Sequence, residues 1–379
     1  MTAPLAVELL VLSFAAALPV PARRTGDGSG LRLFAVVPAH NEERLIAQCV
    51  RSILDNSPAG VEVVVVAHNC IDATAANAQA AGATVLTLNG EGGKGVALNH
   101  AFGYARNAGA DAVLVIDADS AVSPNLTSAV LARLGAGARA LQCRYQVANV
   151  HATTRTRLMA LAFLGMNILR PRGRDRLGLS CGIFGNGFAL TLETLARVPY
   201  AANSVVEDLE YHLHLIRAGI RVEFVDQATV FGEMPETKQG ATTQRARWEG
   251  GRILMRRQWR GPLTVQVLQG RWRMLEPLLD LLALPLATQV MLLIAAVILP
   301  VGWARTYGLI GLAATVAYML VAAFLGPEPG QTLRALASAP GYMVWKLMMI
   351  PKTRAASRQN AAWVRTKRNI EVESKKSGA

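Results

Sequence analysis

The chain is 379 residues long, 52% apolar and formally +13 at neutral pH, with 39 Lys and Arg against 26 Asp and Glu. That length exceeds one average domain, so a second module is expected beside any core. Cys49, Cys70, Cys143 and Cys181 form no CxxC pair, which argues against a zinc site or disulfide framework and fits a reducing compartment, and the basic residues lie beside the apolar runs, which favours a membrane surface over nucleic acid.

The first apolar run, Pro4 to Val20, has no basic residue before it and Arg23 and Arg24 just after it, so it lacks the charged start of a secretory signal. It is expected to be a membrane anchor within residues 1–27, its C-terminal end in the cytosol. Glu8 keeps a peripheral apolar helix open as the alternative.

From Leu31 the pattern changes. LRLFAVV (31–37), ending at Pro38, and VEVVVVA (61–67) read as strands, with helical spacing from Glu42 to Leu54 between them. A strand at Ala83–Leu88, a helix at Gly95–Asn107 and a strand at Ala112–Ile116 follow. Strands alternating with helices predict an α/β fold with a mostly parallel sheet, whose ligands sit beyond the carboxyl ends of the strands. Polar residues cluster at those ends: Pro38–Glu42, His68–Asp72 and Asp117–Ser120. No GxGxxG follows the first strand and no GxxxxGK[ST] is present, which disfavours both common nucleotide folds.

Four segments carry chemistry. Lys94 sits in GEGGKGVALN, where glycines at 90, 92, 93 and 95 allow close backbone approach at a helix start; the lysine and the helix N-terminus suit a diphosphate, and a plain glycine-rich turn is the competing reading. Asp117 and Asp119 follow a buried strand and suit Mg2+ or Mn2+, which water and substrate phosphates complete. Glu207 and Asp208 open a helical run; one of them can act as general base, or the pair can serve as a helix start favoured by the dipole. Gln244, Arg247 and Trp248 lie on one stretch, with Gln244 and Trp248 on one helix face, and suit either a sugar-nucleotide clamp or an interfacial helix.

Residues 249–274 read as a basic interfacial segment through Arg252, Arg256, Arg257, Arg260, Arg271 and Arg273. Leu275–Pro300 and Tyr307–Leu325 each approach the roughly 20 residues needed to span hydrocarbon, with a turn at Gly302, Trp303 and Arg305. Leu333–Ile350 is interrupted by Pro340 and Gly341 and carries Lys346, so it is expected to lie in the interface. Two crossings keep the catalytic region and the basic tail (352–379, with Lys352, Arg354, Arg358, Arg365, Lys367 and Arg368) on one side; three crossings are the alternative.

In order, PAHNEE, HNCIDAT, GKGVALN, DADS, FGNG, VVEDLEY and QRARW resemble the successive motifs of family-two inverting glycosyltransferases of the GT-A fold, from about Leu33 to Trp248. The set is similar to the membrane branch that includes cellulose, chitin, hyaluronan and poly-N-acetylglucosamine synthases and ceramide glucosyltransferases. The resemblance implies that Asp117 and Asp119 carry the metal and donor diphosphate, that Lys94 assists the phosphates, and that Pro38, Ala39, His40, Asn41 and Glu42 line the nucleoside pocket. It implies Asp208 as catalytic base beside Glu207. It further implies that Gln244, Arg247 and Trp248 hold the diphosphate and the acceptor end, and that Phe184, Gly185, Asn186 and Gly187 form part of the acceptor floor. Where relatives often carry an acidic pair after the second strand, this chain has Ala67 and His68, keeping Asp72, so His68 or Asn69 is left to contact the base of a UDP-sugar.

The expected architecture is therefore an N-terminal anchor, a cytosolic GT-A domain over 31–248, the basic segment 249–274, a transmembrane hairpin with an interfacial or third helix over 275–351, and the tail. Few C-terminal helices offer little wall for a polymer channel unless the chain oligomerises or has a partner. That favours an inverting, metal-dependent transfer of one sugar to a lipid-linked or glycolipid acceptor in surface polysaccharide or glycolipid assembly. A processive synthase and a non-catalytic scaffold are the alternatives. Alanine-, arginine- and glycine-rich usage suggests a GC-rich bacterial genome, and with the apolar runs the expected location is a bacterial inner membrane.

Overall fold

The computed structural model describes residues 2–19, 26–201 and 204–357. Arg23, Arg24 and the basic tail from Arg358 onward, with Arg365, Lys367 and Arg368, lie outside the described residues.

After α1 (Ala3–Ala17) the chain alternates β1 (Leu33–Ala39), α2 (Ile46–Leu54), β2 (Val61–His68), α3 (Thr74–Ala80), β3 (Thr84–Leu88), α4 (Lys94–Asn107) and β4 (Ala112–Val115), close to the order read from the sequence. β1 continues through Pro38 and Ala39 rather than ending before them. Val36 bonds towards β4 through the Ile116 N–H (3.0 Å), so Pro38, two residues on, faces the side where β4 has already stopped and its missing donor breaks no ladder bond.

β5 (Ser120–Val122), α5 (Leu126–Gly135) and β6 (Ala140–Val147) follow. A helical excursion comes next: α6 (Thr154–Phe163) passes through a π-helical stretch, Leu164–Leu169, into α7 (Arg170–Arg176). The chain returns as β7 (Phe188–Thr191), α8 (Leu192–Arg197), α9 (Glu207–Arg217) and β8 (Val222–Gly232). The sheet order is β3-β2-β1-β4-β7-β6-β8-β5. β1 to β4 pair in parallel, but β7 enters antiparallel to both β4 and β6, and β5 is antiparallel to β8. β6 and β8 pair in parallel as well, so the expected mostly parallel sheet is a mixed one, with β7 and β5 as its antiparallel strands. The reason is that β7 arrives from the long α6–α7 excursion, not from a short βαβ crossover that would force it parallel.

Helices cover both faces. Leu33, Ala35 and Val37 pack with Ile46, Val50 and Ile53 of α2 and Val130 of α5; Phe34 and Val36 pack with Leu98, Ala101 and Phe102 of α4 and Tyr211 and Leu215 of α9. Burial on both sides is why these strands read as continuous apolar runs.

A helical layer completes the molecule. α10 (Lys238–Leu268) is one helix of 31 residues, so the expected boundary between 248 and 249 falls inside it. Leu275–Pro300 is not one helix: α11 (Leu275–Leu282) and α12 (Leu286–Ile298) meet at a 77° bend beside Pro285. Gly302, Trp303 and Arg305 belong to the first turns of α13 (Gly302–Phe324), and the hairpin turn lies just before them, at Leu299–Val301. α14 (Pro329–Ala335), α15 (Ala339–Met348, with Pro340 in its first turn) and α16 (Ile350–Ala356) break the Leu333–Ile350 stretch into short pieces. Among the described residues α13 alone is long and apolar enough to cross a membrane by itself; the α11–α12 pair passes that test only jointly.

This layer is inside out. The outward residues of α1 (Val7, Leu10, Val11, Phe14), α12 (Leu292, Ile294, Ile298) and α13 (Leu309, Ile310, Val316, Leu320, Phe324) are exposed and apolar, whereas Gln289, Thr315 and Tyr318 are buried. Arg252, read from the sequence as part of a surface-facing basic segment, instead points inward to the Asp280 carboxylate (2.9 Å).

Candidate active site

The polar motifs converge where β1, β2 and β4 end. Lys94 is the first residue of α4, and its ammonium bridges two groups: it pairs with Asp117 Oδ1 and donates to Gly185 O (2.6 Å). Gly185 has φ of +74°, a conformation glycine adopts without strain, and a Cβ there would lie 3.2 Å from Asp208 Oδ2. Asp117, Lys94, Gly185 and Asp208, from four separate segments, are thus neighbours.

The frame around them is rigid. Asn186, buried, accepts from the Asp117 N–H (3.1 Å) and donates to Ser120 Oγ (2.8 Å), locking the DADS turn to the FGNG loop. Gln142 on β6, fully buried, holds that loop: its Nε2 donates to Asn186 O (2.8 Å) and its Oε1 accepts from the Phe184 N–H (3.0 Å). Asp119 lies two residues beyond Asp117 in the same turn, half-buried.

Glu207 and Asp208 form the first turn of α9. Val206, just before them, packs so closely on α10 that a Cβ on Gly251 would come within 2.5 Å of Val206 Cγ1. That contact places the acidic pair beside α10, the helix carrying Gln244, Arg247 and Trp248. Burial and the adjacent Asp208 charge push the Glu207 carboxyl up to about 7, against the pull of Lys94 and Arg247. Burial also raises Asp208, although the Leu209 N–H donates to its Oδ1 (2.8 Å). Burial works to lower Lys94, but Asp117, Glu207 and Asp208 outweigh it and hold the ammonium above its ordinary range.

The β1 and β2 ends are tied to each other. Asn41 and Asn69, at the same place after neighbouring strands, both adopt left-handed φ, 54° and 52°. Asn41 Oδ1 accepts from Ile71 N–H (2.9 Å), and His40 Nδ1 bonds with His68 O (2.8 Å). Asn69 both donates to Gly90 O and accepts from Gly90 N–H (3.0 Å each), pinning the start of the glycine-rich loop. Against partial burial, the Thr74 hydroxyl and the N–H groups of Thr74 (3.0 Å) and Glu43 (3.2 Å) donate to Asp72 and hold its carboxyl below the usual range. Its carboxylate therefore joins the two strand ends. The Glu42 N–H donates to Thr74 Oγ1 (2.8 Å), and Pro38 is the partly exposed residue of an otherwise buried strand. His68 is buried and its Nε2 has no partner.

On the other side, Tyr145, Phe163 and Trp248 form a row, with ring centroids 5.3 and 6.2 Å apart, and the Arg245 guanidinium stands 5.8 Å over Trp248. The Gln244 Oε1 is buried without a partner. Tyr145, Phe163 and Gln142 carried no sequence signal: each is a single residue on an element whose pattern is explained by the core.

Among the described residues no group of three or more His, Cys, Asp or Glu can hold a metal, so an all-protein cage is absent there. What is present is an open pair, Asp117 and Asp119, in a neighbourhood where acids outnumber cations, and that fits a divalent ion whose shell substrate oxygens complete.

The family model described as Glycosyltransferase like family 2 matches residues 32–251. No match is found among curated proteins. Among solved structures, the mannosyltransferase PcManGT from Pyrobaculum calidifontis, in complex with GDP-Man and Mn2+, is 18% identical with a TM-score of 0.53, covering 94% of this chain and 98% of its own. Glucosyl-3-phosphoglycerate synthase from Mycobacterium tuberculosis, in complex with Mg2+ and UDP, is 23% identical with a TM-score of 0.40, covering 55% of this chain and 73% of its own. The first likeness is one of fold.

Proposed function

The chain belongs to glycosyltransferase family 2, with a GT-A fold, and from that premise we propose that it moves one sugar, with inversion, from a nucleotide sugar to a lipid-linked or glycolipid acceptor at a membrane surface. The observation that carries this reading is the convergence of Asp117, Lys94, Gly185 and Asp208 at the carboxyl ends of the strands.

Asp117 and Asp119 would hold Mg2+ or Mn2+, as the two complexes above hold one of these ions; the ion supplies positive charge to the leaving diphosphate. Lys94 and the first turn of α4 offer the diphosphate a cation and free N–H groups. Pro38 to Glu42 and His68 line the nucleoside side, for a uridine donor in this reading.

Asp208 takes the proton from the acceptor hydroxyl as that oxygen attacks the anomeric carbon opposite the leaving group. Its place beside Gly185 keeps it at the boundary between donor and acceptor, and burial raises its affinity for a proton towards what a base needs at neutral pH. Glu207 beside it shares that environment. Gln142 and Asn186 keep Phe184 to Gly187 fixed while the substrate binds.

A lipid acceptor is supported by placement. Phe163, the middle ring of the Tyr145–Phe163–Trp248 row, ends α6, which runs on into the π-helical stretch that packs on α13 through Leu164, Ile168 and Tyr318. The acceptor end thus lies next to the inside-out layer, whose apolar faces and exposed Arg257, Arg260, Arg271 and Arg273 suit a bilayer with anionic lipids. In this reading the catalytic domain is on the cytosolic face of a bacterial inner membrane.

The test is detergent-solubilised protein with Mg2+ or Mn2+ and UDP-, GDP- and dTDP-sugars, with and without membrane lipid, scoring nucleotide release and product size. Release of UDP with one lipid larger by a single sugar is expected. A ladder of products replaces single addition with processive synthesis, and no release under any condition sinks the enzyme reading.

A further inference from the structure

The donor reading gives Asp117 to a divalent ion, yet that carboxylate already has a cation. Lys94 Nζ pairs with Asp117 Oδ1 and donates to Gly185 O (2.6 Å). Both partners are fixed, Asp117 by the Asn186 side chain and the Gly185 loop by Gln142. The arm that carries the lysine is built differently. It follows Gly90 and Gly93, at φ of 130° and 140°, and a Cβ at position 90 or 92 would meet no atom within 4 Å. Asn69 holds the start of this arm at Gly90 and α4 holds its end, so the part left to move is the unbranched stem of Lys94, which can swing without moving the DADS turn.

We propose that Lys94 is an internal counter-cation that competes with the divalent metal for Asp117 and is drawn away by the donor diphosphate, so that metal and nucleotide bind in concert. The proposal rests on the donor-site reading above and adds an order to it. A dication arriving alone meets an ammonium on the same carboxylate and is repelled. A diphosphate arriving with it offers Lys94 new acceptors beside the α4 N-terminus, which frees Asp117 for the metal. The positive charges then share the diphosphate instead of contending for one aspartate. Because coupling is reciprocal, the factor by which nucleotide tightens metal must equal that by which metal tightens nucleotide.

Full-length protein in detergent is titrated with Mn2+, reading free Mn2+ by electron paramagnetic resonance, alone and with UDP, GDP, dTDP or uridine. In the wild-type chain Mn2+ alone is expected to bind weakly, a nucleoside diphosphate to tighten it, and uridine, which lacks the diphosphate, to leave it unchanged. Lys94→Met keeps the stem and removes the charge. It is expected to bind Mn2+ alone about tenfold tighter, with the metal–nucleotide coupling reduced. Lys94→Arg keeps the charge and should stay weak, and Lys94→Gln serves as a second neutral variant, with thermal melting reporting that each is folded. If both neutral variants bind Mn2+ alone no tighter than wild type, while nucleotide still tightens the metal, the counter-cation role is overturned and the donor site stands. If wild type binds no Mn2+ with any nucleoside diphosphate, the donor-site reading falls with it.

Discussion

Two groups of ionisable side chains are buried in this chain, and they are built on opposite plans. In the helical layer, Arg170, Arg174 and Arg252 meet Glu8, Glu276 and Asp280. Arg170 bonds Glu8 and Asp280 (2.6 Å), Arg174 bonds Glu8 (3.1 Å), Glu276 (2.5 Å) and Asp280 (2.7 Å), and Arg252 bonds Asp280 (2.9 Å). Three cations face three carboxylates, so charge is matched. The cluster fastens α1, α7, α10 and α11 together. At the strand ends, Asp117, Glu207 and Asp208 crowd around Lys94, so acids outnumber cations there, and burial raises the Glu207 and Asp208 carboxyls. The difference separates a lock from a site: balanced buried charge ties helices together, whereas surplus negative charge is stabilised by whatever cation and substrate arrive.

The largest effect expected from this contrast is on turnover. Asp208→Asn removes the base while leaving the Asp117–Lys94 pair and the loop frame intact, so kcat should fall by about 10³ to 10⁴-fold with nucleotide binding largely kept. Asp119→Ala should instead weaken metal-dependent nucleotide binding. Nucleotide release and calorimetric titration of both variants check this; equal loss of binding in the two would end the assignment of separate roles.

The next effect is on stability and belongs to the balanced cluster. Arg174→Met leaves Glu276 without the cation that bonds it and strips one partner from Glu8 and Asp280, a loss of about 3–5 kcal/mol for breaking a buried pair. The melting temperature should drop sharply, with α1 losing its hold on α7. Asp208→Asn should do the reverse and raise the melting temperature slightly, because it removes a charge from a neighbourhood already rich in acid. If both substitutions destabilise alike, the two clusters do not differ in the way their charge counts indicate.

Much of the donor half was legible because its signals are local. The runs at 33–39 and 61–68 are buried on both faces, and DADS and GKGVALN sit where such strands must end. The antiparallel half was not legible. β7 is four residues long and enters the sheet only through its partners β4 and β6, far away in sequence. Gln142 is an amide in a strand of mostly buried residues, and its task depends on a loop more than 40 residues on. Glu8 looked like a flaw in an apolar anchor because its arginine partners are about 160 residues away. Arg252 looked like a surface charge for the same reason. Periodicity reports which face of an element is buried; it does not report what that face meets.

The smallest effect is a pH dependence, and it tests the acid surplus at the strand ends. Burial and Asp208 hold the Glu207 carboxyl at about 7, against an ordinary value of 4.5. A carboxyl raised on folding makes the folded chain bind more protons than the unfolded one between those values. Stability then falls as pH rises from about 4.5 to about 7. Glu207→Gln removes that proton from the balance, so its melting temperature should decline less than that of wild type between pH 5 and pH 7.5. The difference is limited, because Asp208 remains and carries a raised carboxyl of its own. Adding Mn2+ with a nucleoside diphosphate should flatten the wild-type curve towards the variant's, since the bound cation favours the charged acids. Asp280→Asn, in the balanced cluster, should lower the melting temperature across the same range by removing the charge that Arg170, Arg174 and Arg252 share. A Glu207→Gln curve parallel to wild type, measured by thermal unfolding at each pH, would show that the acid surplus at the strand ends is already neutralised within the protein and awaits no ligand.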